Sequence, residues 1–229
     1  MIDNKKLSVI ILCGGEGMRL RPLTNNIPKP LVQINDKPIL FYIINHLLKY
    51  QISDYIIATG YKSEKIEDFM NINFNNLNYR IVNSGNVDII SRVKDSLKYI
   101  NDDFILCYGD TISDIDINDL IKHHSEHNNL NVISSYPIKI PFGVMKLDRN
   151  IVNEFTEKPV LNDVMNIGYY YFNSSSFDII NNESSLIDVI NKLISKKLLT
   201  CYQHQGIHIT VNTLAELETA NNNIKKILK

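Results

Sequence analysis

LSVIILCGG, Leu7 to Gly15, is a continuous apolar run of strand length that stops on a glycine pair. A run of this kind, with no polar alternation, reads as a parallel strand buried on both faces. Working outward, PILFYIINHLLKYQ (Pro38 to Gln51) puts a proline at the first helical turn and apolar residues all round, and DYIIATG (Asp54 to Gly60) is a second buried strand. Strand, helix and strand make a βαβ unit.

The alternation continues with a helix near Glu64 to Met70, a strand Tyr79 to Ser84, a helix Asp88 to Ile100, a strand Phe104 to Asp110 and a helix at about Asn118 to His127. Then the pattern changes to closely spaced strands around Val132 to Tyr136, Gly143 to Leu147, Val152 to Phe155 and Gly168 to Phe172. Helices follow at Leu186 to Lys197 and Leu214 to Leu228. The expectation is one α/β domain over residues 1–229: a mostly parallel sheet flanked by helices, with a small β-rich extension. In such sheets ligands bind beyond the carboxyl ends of the strands, where the glycines after the first strand and Asp110 after the fourth would meet.

Bulk composition narrows the partners. Twenty-four Lys and Arg against 25 Asp and Glu leave a net charge of -1, no footprint for nucleic acid or an anionic membrane. The first apolar run is too short to span a bilayer. Cys13, Cys107 and Cys201 are odd in number and far apart, which suits reduced thiols and a cytoplasmic setting. Small molecules are the expected partners, and a homo-oligomer stays open.

Gly14, Gly15 and Gly17 let backbone amides approach phosphate oxygens. Glycines alone also fit an ordinary turn. No Gly-Lys-Ser/Thr follows, and Leu20 stands where a dinucleotide fingerprint needs its third glycine. Arg19 and Lys29 add a planar fork and a point charge, which an attacked phosphate and a leaving pyrophosphate require. Asp110, at a strand end, is a suitable hard ligand for magnesium. Of Asp114 and Asp116, one is expected to cap the following helix and the other to be solvated. His123, His124 and His127 read as a solvated helix face, and His204 and His208 as structural or acceptor-side residues.

Gly14-Gly15-x-Gly17-x-Arg19-Leu20-x-Pro22-Leu23-Thr24, followed by Pro28-Lys29-Pro30-Leu31, resembles the signature of the sugar-phosphate nucleotidylyltransferase family. YGDxxSDxDI (Tyr108 to Ile117) and FGVM (Phe142 to Met145) look like its glucose-1-phosphate cytidylyltransferase branch. The resemblance implies a Rossmann-like sheet, Mg2+, and attack by an acceptor phosphate oxygen on the α-phosphorus of CTP without a covalent enzyme intermediate. It implies that Arg19 holds the outgoing phosphates and Lys29 the reacting ones, with nucleotide against Leu12, Gly14, Gly15 and Gly17. It points to Gly85 in NSGN (Asn83 to Asn86) for the base, where a plain turn is the alternative. FTEKP (Phe155 to Pro159) and MNIGYYYF (Met165 to Phe172) give Glu157, Lys158 and Gly168 as acceptor-binding residues, so the β-rich half closes the acceptor side.

Three departures stand out. Tyr169 takes the place of a family glycine, implying a differently shaped acceptor pocket. Asn212, before Thr213, replaces an aspartate that completes the metal site; its amide oxygen can still coordinate magnesium but brings no charge. Val87-Asp88-Ile89-Ile90 replaces a small, glycine-rich helix start. The expected acceptor is a sugar 1-phosphate or, as these departures motivate, a non-sugar phosphate, with the phosphoglutamine cytidylyltransferase reaction of capsule phosphoramidate formation, hence capsule polysaccharide biosynthesis, as the leading non-sugar option. A catalytically impaired nucleotide-binding regulator, marked by Asn212, is the alternative from a different class. A glycosyltransferase would need an Asp-x-Asp at the strand end, and Asp114-x-Asp116 lies too late for it.

Overall fold

The computed structural model describes residues 7–224. The polar lead before Leu7 and the end of the last expected helix, up to Leu228, lie outside the described residues.

In chain order the elements are β1 (Leu7–Leu12), a small hairpin of β2 (Gln33–Ile34) and β3 (Lys37–Pro38), α1 (Ile39–Leu47), β4 (Ile52–Thr59), α2 (Ser63–Asn73), β5 (Tyr79–Asn83), α3 (Ile89–Leu97), β6 (Phe104–Tyr108), β7 (Thr111–Ser113) and α4 (Ile117–Glu126). The second half adds β8 (Asn131–Lys139), β9 (Val144–Asp148), β10 (Ile151–Thr156), β11 (Val160–Phe172), α5 (Phe177–Asn182), α6 (Leu186–Ser195), β12 (Leu199–Gln203), β13 (His208–Thr210) and α7 (Leu214–Asn223). Seven strands form the main sheet in the order β12-β8-β11-β6-β1-β4-β5. All pair in parallel except β11, which runs antiparallel to β6 and β8.

The buried-strand reading of β1 holds because both faces of the sheet are covered. Val9 and Ile11 face a core completed by α1, α2, α4 and α7. Ile10 faces a second core with α3, α5 and α6. All three side chains are fully buried, and each such burial stabilises by roughly 1.5–3 kcal/mol. From β1 the chain moves outward through β4 and β5, then returns to place β6 on the other side. This is a topological switch point, and Leu12 is in register with both Ala58 and Tyr108, so three strand ends open onto one crevice.

Several expectations need correction. The strand expected at Gly168 to Phe172 begins at Val160; its first half pairs with β8 through register shifts, which hide it from a period-two reading. The β7–β13 ladder, β12 and α5 were not anticipated. Tyr169 does not enter the cleft: its ring and the Ile167 side chain are buried in the core of β1 and α1, so this departure changes the core and not the pocket. His124 is likewise buried, with Nδ1 2.7 Å from the Leu130 carbonyl oxygen, and is not part of a solvated face.

Candidate active site

The loop after β1 is held by its own backbone. Cys13 N–H donates to the Ala58 carbonyl, and Gly17 adopts φ 66°, where its carbonyl accepts from Leu20 N–H and the Thr24 hydroxyl, both at 2.9 Å. A Cβ on Gly17 would come within 2.9 Å of the Lys29 Cβ, so glycine is required for both conformation and space. Lys29 opens a short 3-10 turn, Lys29–Leu31, and is buried.

At the end of β6, Gly109 has no Cβ to strike the Leu12 carbonyl, and its N–H donates to that oxygen at 3.0 Å. This close approach brings Asp110 to the glycine loop. Lys29 Nζ donates to Asp110 Oδ2 at 2.5 Å and to Asn212 Oδ1 at 2.8 Å, and Arg19 donates to the same amide oxygen at 3.0 Å. Arg19, Lys29, Asp110 and Asn212, four of the residues singled out in the sequence, therefore form one cluster. Asn212 is fixed from below by α7: its N–H donates to Glu216 Oε2 at 2.5 Å, while Thr213 caps the helix by accepting from Glu216 N–H.

The donor set could hold a magnesium ion. Asp110 and Asn212 bring two hard oxygens, one charged and one neutral, to the same side of the cluster, where Lys29 Nζ bridges them. Among the described residues no three His, Cys, Asp or Glu side chains group at metal-binding spacing. An ion here would take its remaining positions from water and phosphate, as magnesium commonly does.

Leu12 and Gly14 lie at the same strand end, and Gly15 is exposed above them. Gly85 forms a left-handed turn with φ 68°, its N–H donating to Asn83 Oδ1. Gly168 is also left-handed, at φ 76°; a Cβ there would strike the Tyr108 ring. Glu157 and Lys158 do not join the cluster: both are exposed at the base of the β9–β10 hairpin, where Lys158 N–H donates to the Phe142 carbonyl.

The sequence reading missed Arg92. Its guanidinium, on α3, donates to the carbonyls of Thr59, Gly85 and Val87, and it occupies the space a Cβ on Gly14 or Gly60 would need. Arg92 is only 5% exposed, and burial pulls its pKa down. A basic residue on a helix gives no sequence signal for this; the signal is Gly60, which leaves it room. Asp116 caps α4, as one of the two aspartates was expected to. Asp114 is not simply solvated: it accepts from Ile207 N–H at 2.5 Å and pairs with the buried His204 at 3.0 Å, tying β7 to the segment before β13.

The family described as Nucleotidyl transferase matches residues 8–225 of this chain. The glucose-1-phosphate cytidylyltransferase of Salmonella typhi is 28% identical over 238 residues, covering 92% of this chain and 93% of that protein. The bifunctional protein GlmU of Methanocaldococcus jannaschii is 33% identical over 204 residues, covering 83% of this chain and 48% of its own length. Among solved structures, HddC from Yersinia pseudotuberculosis superposes with a TM-score of 0.74 at 22% identity, over 95% of this chain and 99% of that one, a likeness of fold.

Proposed function

Because this chain belongs to the nucleotidyl transferase family, we propose that it transfers the cytidylyl group of CTP to a phosphorylated acceptor and releases pyrophosphate. The observation that carries this reading is the cluster of Arg19, Lys29, Asp110 and Asn212 at the switch point. An in-line displacement at phosphorus asks the protein for positioning and charge neutralisation more than for covalent chemistry.

In this reading an ionised oxygen of the acceptor phosphate attacks the α-phosphorus of CTP. The bond from that phosphorus to the bridging oxygen breaks, and its electron pair leaves with pyrophosphate. No general base is needed, because the attacking phosphate is already largely ionised at neutral pH. Lys29, buried at the root of the loop, neutralises the attacked phosphate, and the exposed Arg19 grips the two outgoing ones. Magnesium held by Asp110 and Asn212 would supply further charge neutralisation on phosphate oxygens. Lys158 and Glu157, on the hairpin base, would meet the acceptor.

Relatives named as cytidylyltransferases support CTP. A sugar 1-phosphate is the first choice of acceptor, since Tyr169 points away from the cleft. The cytoplasm, where CTP is held, is the compartment this reaction needs.

The test is pyrophosphate release with magnesium across CTP, UTP, GTP, dTTP and ATP, each paired with sugar 1-phosphates and with phosphoglutamine. Release with CTP and a sugar 1-phosphate is the expected result. Release with phosphoglutamine alone would replace the sugar, release with GTP would replace the base, and binding of nucleotide without release would favour the impaired regulator.

A further inference from the structure

The oxygens of Asp110 and Asn212 that would hold a metal all accept hydrogen bonds within the chain. Asn212 Oδ1 accepts from Lys29 Nζ at 2.8 Å and from Arg19 at 3.0 Å, which uses both lone pairs of an amide oxygen. Asp110 Oδ2 accepts from Lys29 Nζ at 2.5 Å, and Asp110 Oδ1 from the Thr111 hydroxyl at 3.2 Å. Lys29 therefore bridges the same two side chains. It is well seated: its side chain is 11% exposed, against 31% for Asp110, and the missing Cβ of Gly17 gives its stem room. Charge adds to this. Two cationic side chains, Arg19 and Lys29, meet one carboxylate, because Asn212 is neutral and the Glu216 carboxylate is bonded to the Asn212 N–H. Such a cluster draws an anion more readily than a divalent cation.

The geometry points to Lys29 as an exchange switch: its ammonium and a divalent cation compete for Asp110 and Asn212, and a polyphosphate, by drawing Lys29 to itself, opens the metal site. This rests on the reading of Asp110 and Asn212 as metal ligands. A magnesium–oxygen bond of about 2.0–2.1 Å cannot share an amide lone pair with an ammonium already bonded to it. Phosphate oxygens offer Lys29 charge-assisted acceptors in exchange. By linkage the effect is reciprocal: the anion raises the affinity for metal by the factor by which metal raises the affinity for the anion, roughly 5–150-fold for couplings of this kind. Metal then enters with the nucleotide or after it, and not ahead of it.

Binding, not turnover, reads the exchange. Mn2+, followed by electron paramagnetic resonance, is the metal probe, and tripolyphosphate, followed by calorimetry, stands for the anionic part of a nucleotide. The native chain alone is expected to hold Mn2+ weakly and to bind tripolyphosphate in the presence of EDTA. Lys29→Met, which keeps the stem and removes the charge, should bind Mn2+ without any anion, roughly 5–150-fold more tightly than the native chain, and should bind tripolyphosphate more weakly. Adding Asp110→Asn should abolish the gain. Should Lys29→Met fail to fold by circular dichroism, the two titrations of the native chain decide: Mn2+ held tightly without an anion, or tripolyphosphate that binds only with metal present, would overturn the exchange. So would a Lys29→Met chain that holds Mn2+ no better than the native one, or a gain that survives Asp110→Asn. None of these readouts involves CTP or an acceptor. Silence in pyrophosphate release beside the expected Mn2+ gain would therefore sink the transferase reading and leave the exchange standing.

Discussion

A single neutral oxygen, Oδ1 of Asn212, accepts from Lys29 at 2.8 Å and from Arg19 at 3.0 Å, while Asp110 brings the one carboxylate of the cluster. Adding charge at that oxygen should strengthen cation binding without moving it. Asn212→Asp is therefore expected to lower the magnesium concentration needed for half-maximal turnover several-fold, read by a magnesium titration of pyrophosphate release. Removing charge acts in the other direction. Asp110→Asn, which keeps the shape of the side chain, and Lys29→Ala should each lower kcat about 100-fold or more, as loss of a group that acts on developing charge does. Their melting temperatures should stay within a few degrees of the parent, and a parallel collapse of fold and activity would count against these roles. Arg19, Lys29 and Asp110 were legible in the sequence because loop chemistry needs particular residue types at fixed spacing. Arg92 was not, since only the fold reveals that its positive charge lies among three carbonyls beside Gly14 and Gly60.

At the scale of elements, the helices are set by their starts. Asp116 accepts from Asn118 N–H at 2.8 Å and Asp119 N–H at 3.2 Å, closing the first turn of α4. Asp116→Ala should cost about 1 kcal/mol of stability, seen as a shift in the urea midpoint at constant slope, with kcat unchanged. The βα alternation from β1 to α4 was readable because buried parallel strands are short apolar runs and the helices between them carry a different period. The second half was less so. In β11 the stretch LNDVMN mixes polar and apolar residues without alternation, since bulges against β8 break the period before the buried YYYF segment begins. Single ladders such as β7 with β13 involve three residues each and leave no pattern to read.

For the whole molecule, acid sensitivity follows from His208. Burial, with the nearby His204 adding to it, pushes its pKa down to about 4, against a weaker pull upward from Asp110. The fold thus holds the neutral imidazole, whereas the unfolded chain takes up a proton near 6.5. Between those values the unfolded state binds more protons, so this contribution to stability is complete above 6.5, declines as pH falls, and is lost through about 4. Urea unfolding at pH 7 and pH 5 should show the loss, and His208→Gln should flatten it. Convergence of the two halves of the site was visible in the sequence as far as the switch-point rule extends, to the glycine loop and Asp110. That Asn212 would belong to the site came from the resemblance and not from any local pattern, and its closure on both cations from the far end of the chain is visible only in the fold. This closure joins residues 183 and 193 positions apart. During synthesis, therefore, β1, β4, β5 and β6 can emerge from the ribosome and pair long before the last member of the cluster has been translated. An unfinished chain, or one clipped ahead of Asn212, would keep the central strands of the crevice and lack its clasp, so quality control that inspects the central sheet alone would pass a molecule whose site is incomplete.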